Sequence, residues 1–404
     1  MNTSQPSAEE ARTGAAIRRF EDHYRLQRAM VALVDRVVSL MPGLSAGSRG
    51  TIQPPRRVLL SNAGHLGDVI ITTALLPVLH HSFPGIEIGT LTGSQASCVV
   101  SNHPLIARTH YLDHWYLRRD TGSRLAKFVR YSMVDRRRVA RELAEHKYDA
   151  AIDVRAWFPN FISVLWRAGI PARIGFDRVG LGPLLTHPFK HRYHRRHELE
   201  YQFELLGALG VPPDSFSLAH PVLAPVTPGA AAEARQVLGA AVKYRVLHMA
   251  SSTSSRDWPA QRWRELAQSL VAQGITPVLT GRGDRDAALA SEVVRSVPGC
   301  VDATGRLGWS GLVALIAGAE LIYSVETSVG HVGAALNKPV VAIYGGMADP
   351  MHWRPYGNTV EVATNLLDCH PCFVKRGCRS RPCLTLLETR TVVASANQLL
   401  KQVA

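Results

Sequence analysis

The sequence is poor in long apolar runs and in acidic residues. No run approaches the roughly 18 apolar residues of a membrane-spanning helix, and the N-terminus lacks the apolar core of a signal peptide. We therefore expect a cytoplasmic protein. Acidic residues number 32 against 46 Lys and Arg, a net charge of +14 that predicts an anionic partner or surface. No basic motif interleaved with aromatics is present, so nucleic acid is not the expected partner.

Cysteine is also scarce, with six in 404 residues, but four of them lie close together. Clustered cysteines in a cytoplasmic protein favour a tetrathiolate metal site over disulfides. Zinc and iron both accept four thiolates, and a closed set of four ligands would be structural rather than catalytic. The alternative is four free thiols that serve packing. The predicted ligands are Cys369, Cys372, Cys378 and Cys383.

The length exceeds that of one typical domain, and 46% hydrophobic with 19% charged residues is typical of globular chains. Apolar strands alternate with helices, which predicts doubly wound α/β domains. We place an N-terminal extension at residues 1–50, domains at 51–225 and 226–385, and a helix at 386–404 that crosses back onto the first domain. Within the extension, residues 15–41 have helical apolar spacing. This helix could lie on an anionic bilayer or pack on its own domain or on a second subunit.

Residues 321–356 organise the second half of the chain. They predict a strand (321–325), a polar turn (326–330), a short helix from His331 and a second strand (339–344). In such a unit the helix begins at the carboxyl edge of a parallel sheet, where its free N–H groups bind anions. The alternative is a turn that only caps its own helix. The candidate residues for binding a phosphate group are Thr327, Ser328 and Gly330, together with Glu326 and His331 on either side.

A hydroxyl-rich loop, residues 250–259, follows another predicted strand. Ser251, Ser252 and Arg256 lie in it just before a helix, an arrangement that suits a diphosphate. The alternative is an ordinary capping loop with a solvated arginine. Asp284 and Asp286 also have the spacing of the acidic pair that binds metal in other enzymes. Here, however, a helix terminus and a cation can balance the charge of the diphosphate without a metal.

Near the start of the first domain, the strand 57–61 leads into a glycine-containing loop and a helix. Asp68 lies at the beginning of that helix, where the helix dipole favours a carboxylate in any case. Arg155 and Arg173 follow or form later strands. A guanidinium can donate two parallel hydrogen bonds to a carboxylate or a phosphate, so both arginines could bind an acidic acceptor. The alternative is that each forms a surface salt bridge.

Several of these segments together resemble glycosyltransferase family 9, the bacterial ADP-heptose:lipopolysaccharide heptosyltransferases. The resemblance covers about residues 56–390 and differs from the family pattern at two places. The turn is Glu326-Thr327-Ser328 where the family has Asp-Thr-Gly or Asp-Ser-Gly, and Arg256 stands where the family has lysine. The segments that carry the resemblance are residues 62–77, His331, 334–336, 338–341, 349–350 and 353–357.

The resemblance implies a GT-B fold, with two Rossmann-like domains facing a central cleft, and an inverting transfer. It implies that Asp68 is the catalytic base, that Asp284 accepts from the ribose hydroxyls, and that catalysis needs no metal. The donor would be ADP-heptose and the acceptor a phosphorylated glycolipid of the lipopolysaccharide core, met at the inner face of the membrane. Two alternatives stay open: transfer to another glycan or to protein, and a non-catalytic nucleotide-binding scaffold.

Overall fold

The computed structural model describes most of the chain. The described residues form two compact units, an N-terminal one that ends at Ala224 and a C-terminal one that begins at Pro225. The finer predicted divisions, at residues 50 and 385, stay predictions, and residues 15–24 of the predicted first helix lie outside the described part. The described ranges are 25–41, 50–118, 121–192, 194–374 and 378–403.

The N-terminal unit is built on a six-stranded sheet in the order β3-β2-β1-β4-β5-β6. Every pairing is parallel, and β1 lies between β2 and β4, with Leu59 opposite both Gly89 and Ala151. The central strands are apolar because helices cover both faces of a doubly wound sheet. The strands are β1 (Arg57–Asn62), β2 (Glu87–Thr92), β3 (Arg108–Tyr111), β4 (Ala150–Asp153), β5 (Ala172–Phe176) and β6 (His187–Phe189).

Helices connect these strands and close the core. Val139 and Leu143 pack with Leu59 and Ala151 in one buried cluster, so the helix that contains them covers one face of the sheet. The helices are α1 (Arg25–Leu40), α2 (Leu66–Thr72), α3 (Leu75–Ser82), α4 (Ser97–Val100), α5 (Arg124–Arg130), α6 (Arg136–Glu145), α7 (Ile162–Arg167) and α8 (Glu198–Glu204). A π-helical turn, Tyr131–Asp135, joins α5 to α6.

Helix α1 is the described part of the predicted amphipathic helix. Val38 packs on the small cluster of Ile162, Leu184 and Leu185, so the helix contacts its own N-terminal unit, one of the arrangements that the sequence left open. Val31 is half-buried, whereas large apolar side chains such as Leu26 are exposed.

The C-terminal unit repeats the plan with the strand order β12-β11-β10-β7-β8-β9, again entirely parallel. The buried side chains of Trp258 and Trp263 pack edge to face in its core. The strands are β7 (Tyr244–His248), β8 (Thr276–Thr280), β9 (Val301–Asp302), β10 (Ile322–Val325), β11 (Val340–Tyr344) and β12 (Val360–Thr364).

The C-terminal helix α16 packs on the sheet of its own unit, with Val392, Ala396 and Leu399 in the same buried cluster as Val341 and Ile343. Its predicted crossing onto the first domain stays a prediction. No helix in the described ranges combines the length and apolarity that crossing a bilayer requires. The helices are α9 (Pro228–Leu238), α10 (Ala260–Ala272), α11 (Asp284–Ser296), α12 (Trp309–Gly318), α13 (Ser328–Ala335), α14 (Pro350–Trp353), α15 (Pro382–Thr385) and α16 (Thr389–Val403).

Each strand order reverses at one point, between β1 and β4 in the first sheet and between β7 and β10 in the second. At such a switch point the connections leave to opposite sides, so a crevice opens at the carboxyl edge of the strands. The loops after β1, β4, β7 and β10 therefore lie at the crevice of each unit.

Candidate active site

Asp68 lies at the switch point of the N-terminal sheet, in the first turn of α2. The carboxylate oxygen Oδ2 of Asp68 accepts a hydrogen bond of 2.6 Å from the backbone N–H of His65. The same oxygen lies 3.0 Å from Nη1 of Arg155, which follows β4. Both contacts therefore use one oxygen and fix the direction of the carboxylate.

Gly64 makes this ion pair possible. A Cβ atom at residue 64 would lie 2.4 Å from both Arg155 Nη1 and Asp68 Oδ2, and 2.7 Å from Asn62 Oδ1. No side chain can occupy that space while the pair exists. The side chain of Asn62 completes the loop, because Oδ1 accepts from Gly64 N at 2.7 Å and Nδ2 donates to Thr72 Oγ1 at 2.8 Å.

Asp153 holds the loop that carries Arg155. This fully buried carboxylate accepts hydrogen bonds from the backbone N–H of Arg155 (3.2 Å), from that of Phe161 (2.7 Å) and from the hydroxyl of Ser61 (3.1 Å). Burial raises the pKa of Asp153 to about 6, against the lowering effect of those hydrogen bonds. Sequence reasoning missed Asp153, although it lies two residues before Arg155.

Arg155 and Arg173 were both predicted to bind the acceptor, and the structure separates them. The guanidinium of Arg155 lies at the switch point, and its buried Nε has no hydrogen-bond partner among the described residues. Arg173 is buried within β5, where its guanidinium donates to the backbone carbonyls of Leu184 and Ile170. We therefore interpret Arg173 as a structural residue and retain Arg155.

In the C-terminal unit the loop after β7 is held by its own polar groups. Ser251 N donates to Asp257 Oδ1 at 2.8 Å, and Ser251 Oγ donates to the carbonyl of Thr253 at 2.7 Å. Arg285 and Arg381, neither of which the sequence analysis singled out, donate to the carbonyls of Ser251 and Ser254. The hydroxyl of Ser251 thus shapes the loop, and Ser252 lies exposed beside it.

Arg256 and Glu326 join the two sides of the C-terminal switch point. Arg256 Nε lies 3.5 Å from Glu326 Oε2, and Glu326 Oε1 accepts from the backbone N–H of Gly345 at 3.2 Å. The Glu326 side chain is 7% exposed and that of Arg256 is 33% exposed. Burial raises the pKa of Glu326, while the Arg256 guanidinium lowers it. The glutamate that departs from the family turn therefore positions Arg256.

The turn after β10 leads directly into α13, as predicted, although the helix begins at Ser328 rather than at His331. Thr327 caps the helix, because its Oγ1 accepts from Val329 N at 3.3 Å. At Gly330 a Cβ would lie 3.0 Å from Pro355 Cγ, so a small residue is needed there. His331 follows in the same helix, half-buried. The arrangement presents a helix N-terminus of the kind that binds anions.

The loop after β8 leads into α11. Asp284 is the first residue of that helix and is exposed, so its carboxylate is accessible. Asp286 points back into the loop instead, since a Cβ at Gly281 would lie 2.4 Å from Asp286 Oδ1. The carboxylate of Asp284 thus faces solvent, whereas that of Asp286 lies against the loop.

The structure does not support the metal site predicted at the four clustered cysteines. Within the described ranges, no group of three or more His, Cys, Asp or Glu side chains is placed to hold a metal ion. The thiols differ in burial, although Cys369 and Cys383 both lie near enough to Cys372 to influence its pKa. Cys383 packs on the buried cluster of the C-terminal unit, whereas Cys369 and Cys378 are exposed, and Cys378 Sγ accepts from Arg381 N at 3.3 Å. Burial raises the pKa of the remaining thiol, Cys372.

The two sheets define the class of this protein. Both are doubly wound, with an arginine–carboxylate pair across the switch point, and the second also presents a capped helix N-terminus suited to a diphosphate. This is an α/β enzyme architecture for nucleotide-linked substrates. The chain belongs to glycosyltransferase family 9 (heptosyltransferase), whose model matches residues 136–382, and it is a glycosyltransferase.

Relatives agree with this assignment. The chain is 26% identical over 344 residues to lipopolysaccharide heptosyltransferase 1 of Pseudomonas aeruginosa, covering 81% of this chain and 88% of the relative. A solved family 9 glycosyltransferase from Veillonella parvula superimposes with a TM-score of 0.71 at 22% identity, covering 87% of this chain and 99% of that one. The structure of Escherichia coli heptosyltransferase WaaC with ADP-2-deoxy-2-fluoro heptose superimposes with a TM-score of 0.60 at 21% identity, covering 86% of this chain and 100% of that one. The fold is thus GT-B, as the resemblance implied.

Proposed function

We propose that this glycosyltransferase moves heptose from ADP-heptose to a lipopolysaccharide core-type acceptor, with inversion at the anomeric carbon. Membership of the heptosyltransferase family supports the sugar and the acceptor class. The observation that carries the mechanism is the carboxylate of Asp68, which Arg155 and His65 hold by a single oxygen.

Asp68 is the general base in this proposal. Its Oδ1 takes the proton of the acceptor hydroxyl while that hydroxyl oxygen attacks the anomeric carbon. The bond between the anomeric carbon and the diphosphate oxygen breaks, and ADP leaves with the electron pair. One displacement from the opposite face inverts the configuration. Arg155 directs Asp68, and its guanidinium also binds an anionic group of the acceptor in this proposal.

The diphosphate binds at the C-terminal switch point. Negative charge grows on it as the glycosidic bond breaks, and donors fixed in advance stabilise that charge most. Arg256 supplies the cation, and no metal is required because the helix terminus and this cation provide the countercharge. The other proposed contacts are Ser251, Ser252, Thr327, Ser328, Gly330 and His331, with Glu326 positioning Arg256 and Asp284 accepting from the ribose hydroxyls.

Calorimetric titration with ADP, GDP, UDP and dTDP tests the donor. Selective ADP binding is expected, and preference for another nucleotide would overturn the heptose assignment while leaving the family intact. Absence of binding to all four would overturn the proposed donor site, whereas ADP binding without transfer to any acceptor would favour the non-catalytic scaffold. A protein that binds ADP selectively is then incubated with ADP-heptose and a panel of core glycolipid, other glycan and protein acceptors, and transfer is followed by mass spectrometry. Transfer to the glycolipid alone is expected.

The acceptor class also predicts where the enzyme works. A core glycolipid is anchored in a membrane, so we expect the enzyme to act at the inner face of the cytoplasmic membrane as a peripheral protein. The net charge of +14 suits an anionic leaflet.

A further inference from the structure

Helix α5 has an apolar face that is largely exposed in the described part of the chain. None of its seven residues is buried, although it contains three large apolar side chains at helical spacing. Leu125, Phe128 and Val129 are 71%, 46% and 48% exposed. Side chains at i, i+3 and i+4 share one side of a helix, so these three form a continuous apolar strip.

The strip continues along the π-helical turn. Met133 and Val134 are also exposed there, whereas Tyr131 in the same turn is buried in the core of the N-terminal unit. The segment is therefore anchored on one side and open on the other. We call the open side the 125–134 surface; its members are Leu125, Phe128, Val129, Met133 and Val134.

Positive charge accompanies this surface. Residues 124–138 include six basic residues and one acidic residue. That acidic residue, Asp135, already lies 3.6 Å from Arg118 Nη1 and 3.5 Å from Arg130 Nε. An apolar strip with aromatic and aliphatic side chains beside an excess of Lys and Arg is the pattern of helices that lie in the interface of anionic bilayers.

The 125–134 surface adjoins the switch-point loops of its own unit. Phe128 packs edge to face on Trp115, which follows β3, with ring centroids 5.4 Å apart. Tyr116, the next residue, packs on Phe158 at 5.3 Å, in the loop that also carries Arg155. Aromatic contacts thus connect the surface to the carboxyl edge where Asp68 lies.

We propose that the 125–134 surface docks on the anionic leaflet of a bilayer, with its apolar side chains in the interfacial region and its basic residues on the lipid headgroups. A lipid-anchored acceptor would then reach the carboxyl edge of the N-terminal sheet without leaving the membrane; that consequence rests on the proposed function. A second copy of this chain fits less well, because symmetric pairing would bring two strongly basic segments together.

Vesicle sedimentation of the full-length protein tests the proposal. The vesicles are phosphatidylcholine alone or phosphatidylcholine mixed with phosphatidylglycerol. One variant combines Arg124→Gln, Lys127→Gln and Arg130→Gln, and a second combines Leu125→Ser, Val129→Ser and Met133→Ser. Controls matched in charge and polarity use exposed residues of the C-terminal unit. The control changes are Arg295→Gln, Arg306→Gln and Arg390→Gln in one variant, and Val242→Ser, Leu366→Ser and Leu386→Ser in the other.

The wild type and both controls are expected to bind the mixed vesicles, less so as salt is raised. The loss of three basic residues should lower partitioning on the order of a hundredfold. Equal binding by the triple variants and their controls, or absence of binding by all proteins, would overturn the proposal. The proposal would also be overturned if sedimentation velocity showed a dimer that is lost only in the variant with Leu125→Ser, Val129→Ser and Met133→Ser. Calorimetric ADP binding is measured in parallel, so a failure of donor binding is separable from a failure of docking.

Discussion

Arg155 and Asp68 form an ion pair across the switch point of the N-terminal sheet, with Nη1 and Oδ2 3.0 Å apart. Arg256 and Glu326 form the corresponding pair in the C-terminal sheet, with the acid and the base exchanged between the two loops. In each sheet one partner follows the first strand of the unit and the other follows the strand beside it at the reversal. The geometry at each switch point therefore depends on two segments that are distant in sequence.

Gly64→Ala should disable transfer without unfolding the protein. The added Cβ would overlap the contact between Arg155 Nη1 and Asp68 Oδ2, so one of these groups must move. A displacement of about 1 Å in a catalytic group can cost on the order of a hundredfold in rate, and we expect that loss in kcat. Circular dichroism and calorimetric ADP binding should be unchanged. Gly207→Ala is the control, because nothing lies within 4 Å of its Cβ position; equal activity of the two variants would contradict the account.

Arg256→Ala should weaken ADP binding by roughly ten- to a hundredfold, the range expected for loss of a hydrogen bond to a charged group. Arg256→Lys keeps the positive charge but loses the paired N–H donors of the guanidinium. Its ADP affinity should therefore lie between those of Arg256→Ala and the wild type. The control is Arg264→Ala, which removes a surface ion pair with Glu292 in the same unit. Calorimetry with ADP measures all three, and unaltered affinity in Arg256→Ala would remove this residue from the diphosphate site.

Asp153 should make stability fall as pH rises from about 4 to about 6. Its pKa is raised to about 6 in the folded protein, so the folded state binds more protons than the unfolded state over that interval. The ionised form is the destabilised one, and the loss should be on the order of 2–3 kcal/mol. Thermal unfolding at a series of pH values checks this against Asp153→Asn, which should lack that component of the pH dependence whatever its absolute stability. Parallel curves for the two proteins would contradict the prediction.

Much of the fold follows from local patterns. Apolar runs at strand length that alternate with helical segments predict the two doubly wound sheets, since buried parallel strands and amphipathic helices each leave a periodic signature. Strand β11 appears where the pattern places it. The boundary of α13 shifts to Ser328, because Thr327 rather than a later residue caps the helix.

The direction of individual side chains could not be read from the sequence. Arg155 and Arg173 have the same side chain, yet they lie in different surroundings. The guanidinium of Arg155 reaches the switch point, whereas that of Arg173 donates to a backbone carbonyl within its own unit. The cysteine spacing fits a metal site, but Cys383 packs against the core while Cys369 is exposed. These outcomes depend on tertiary packing, which residue type and spacing do not encode.

The most direct test of the central claim is Asp68→Asn, assayed for transfer from ADP-heptose to a core glycolipid, with ADP affinity measured on the same preparation. Asparagine keeps the shape of the carboxylate but cannot accept the proton, so the rate should fall by about 10²- to 10⁴-fold while ADP affinity stays at the wild-type value. Transfer at the wild-type rate would show that Asp68 is not the base and would contradict the account.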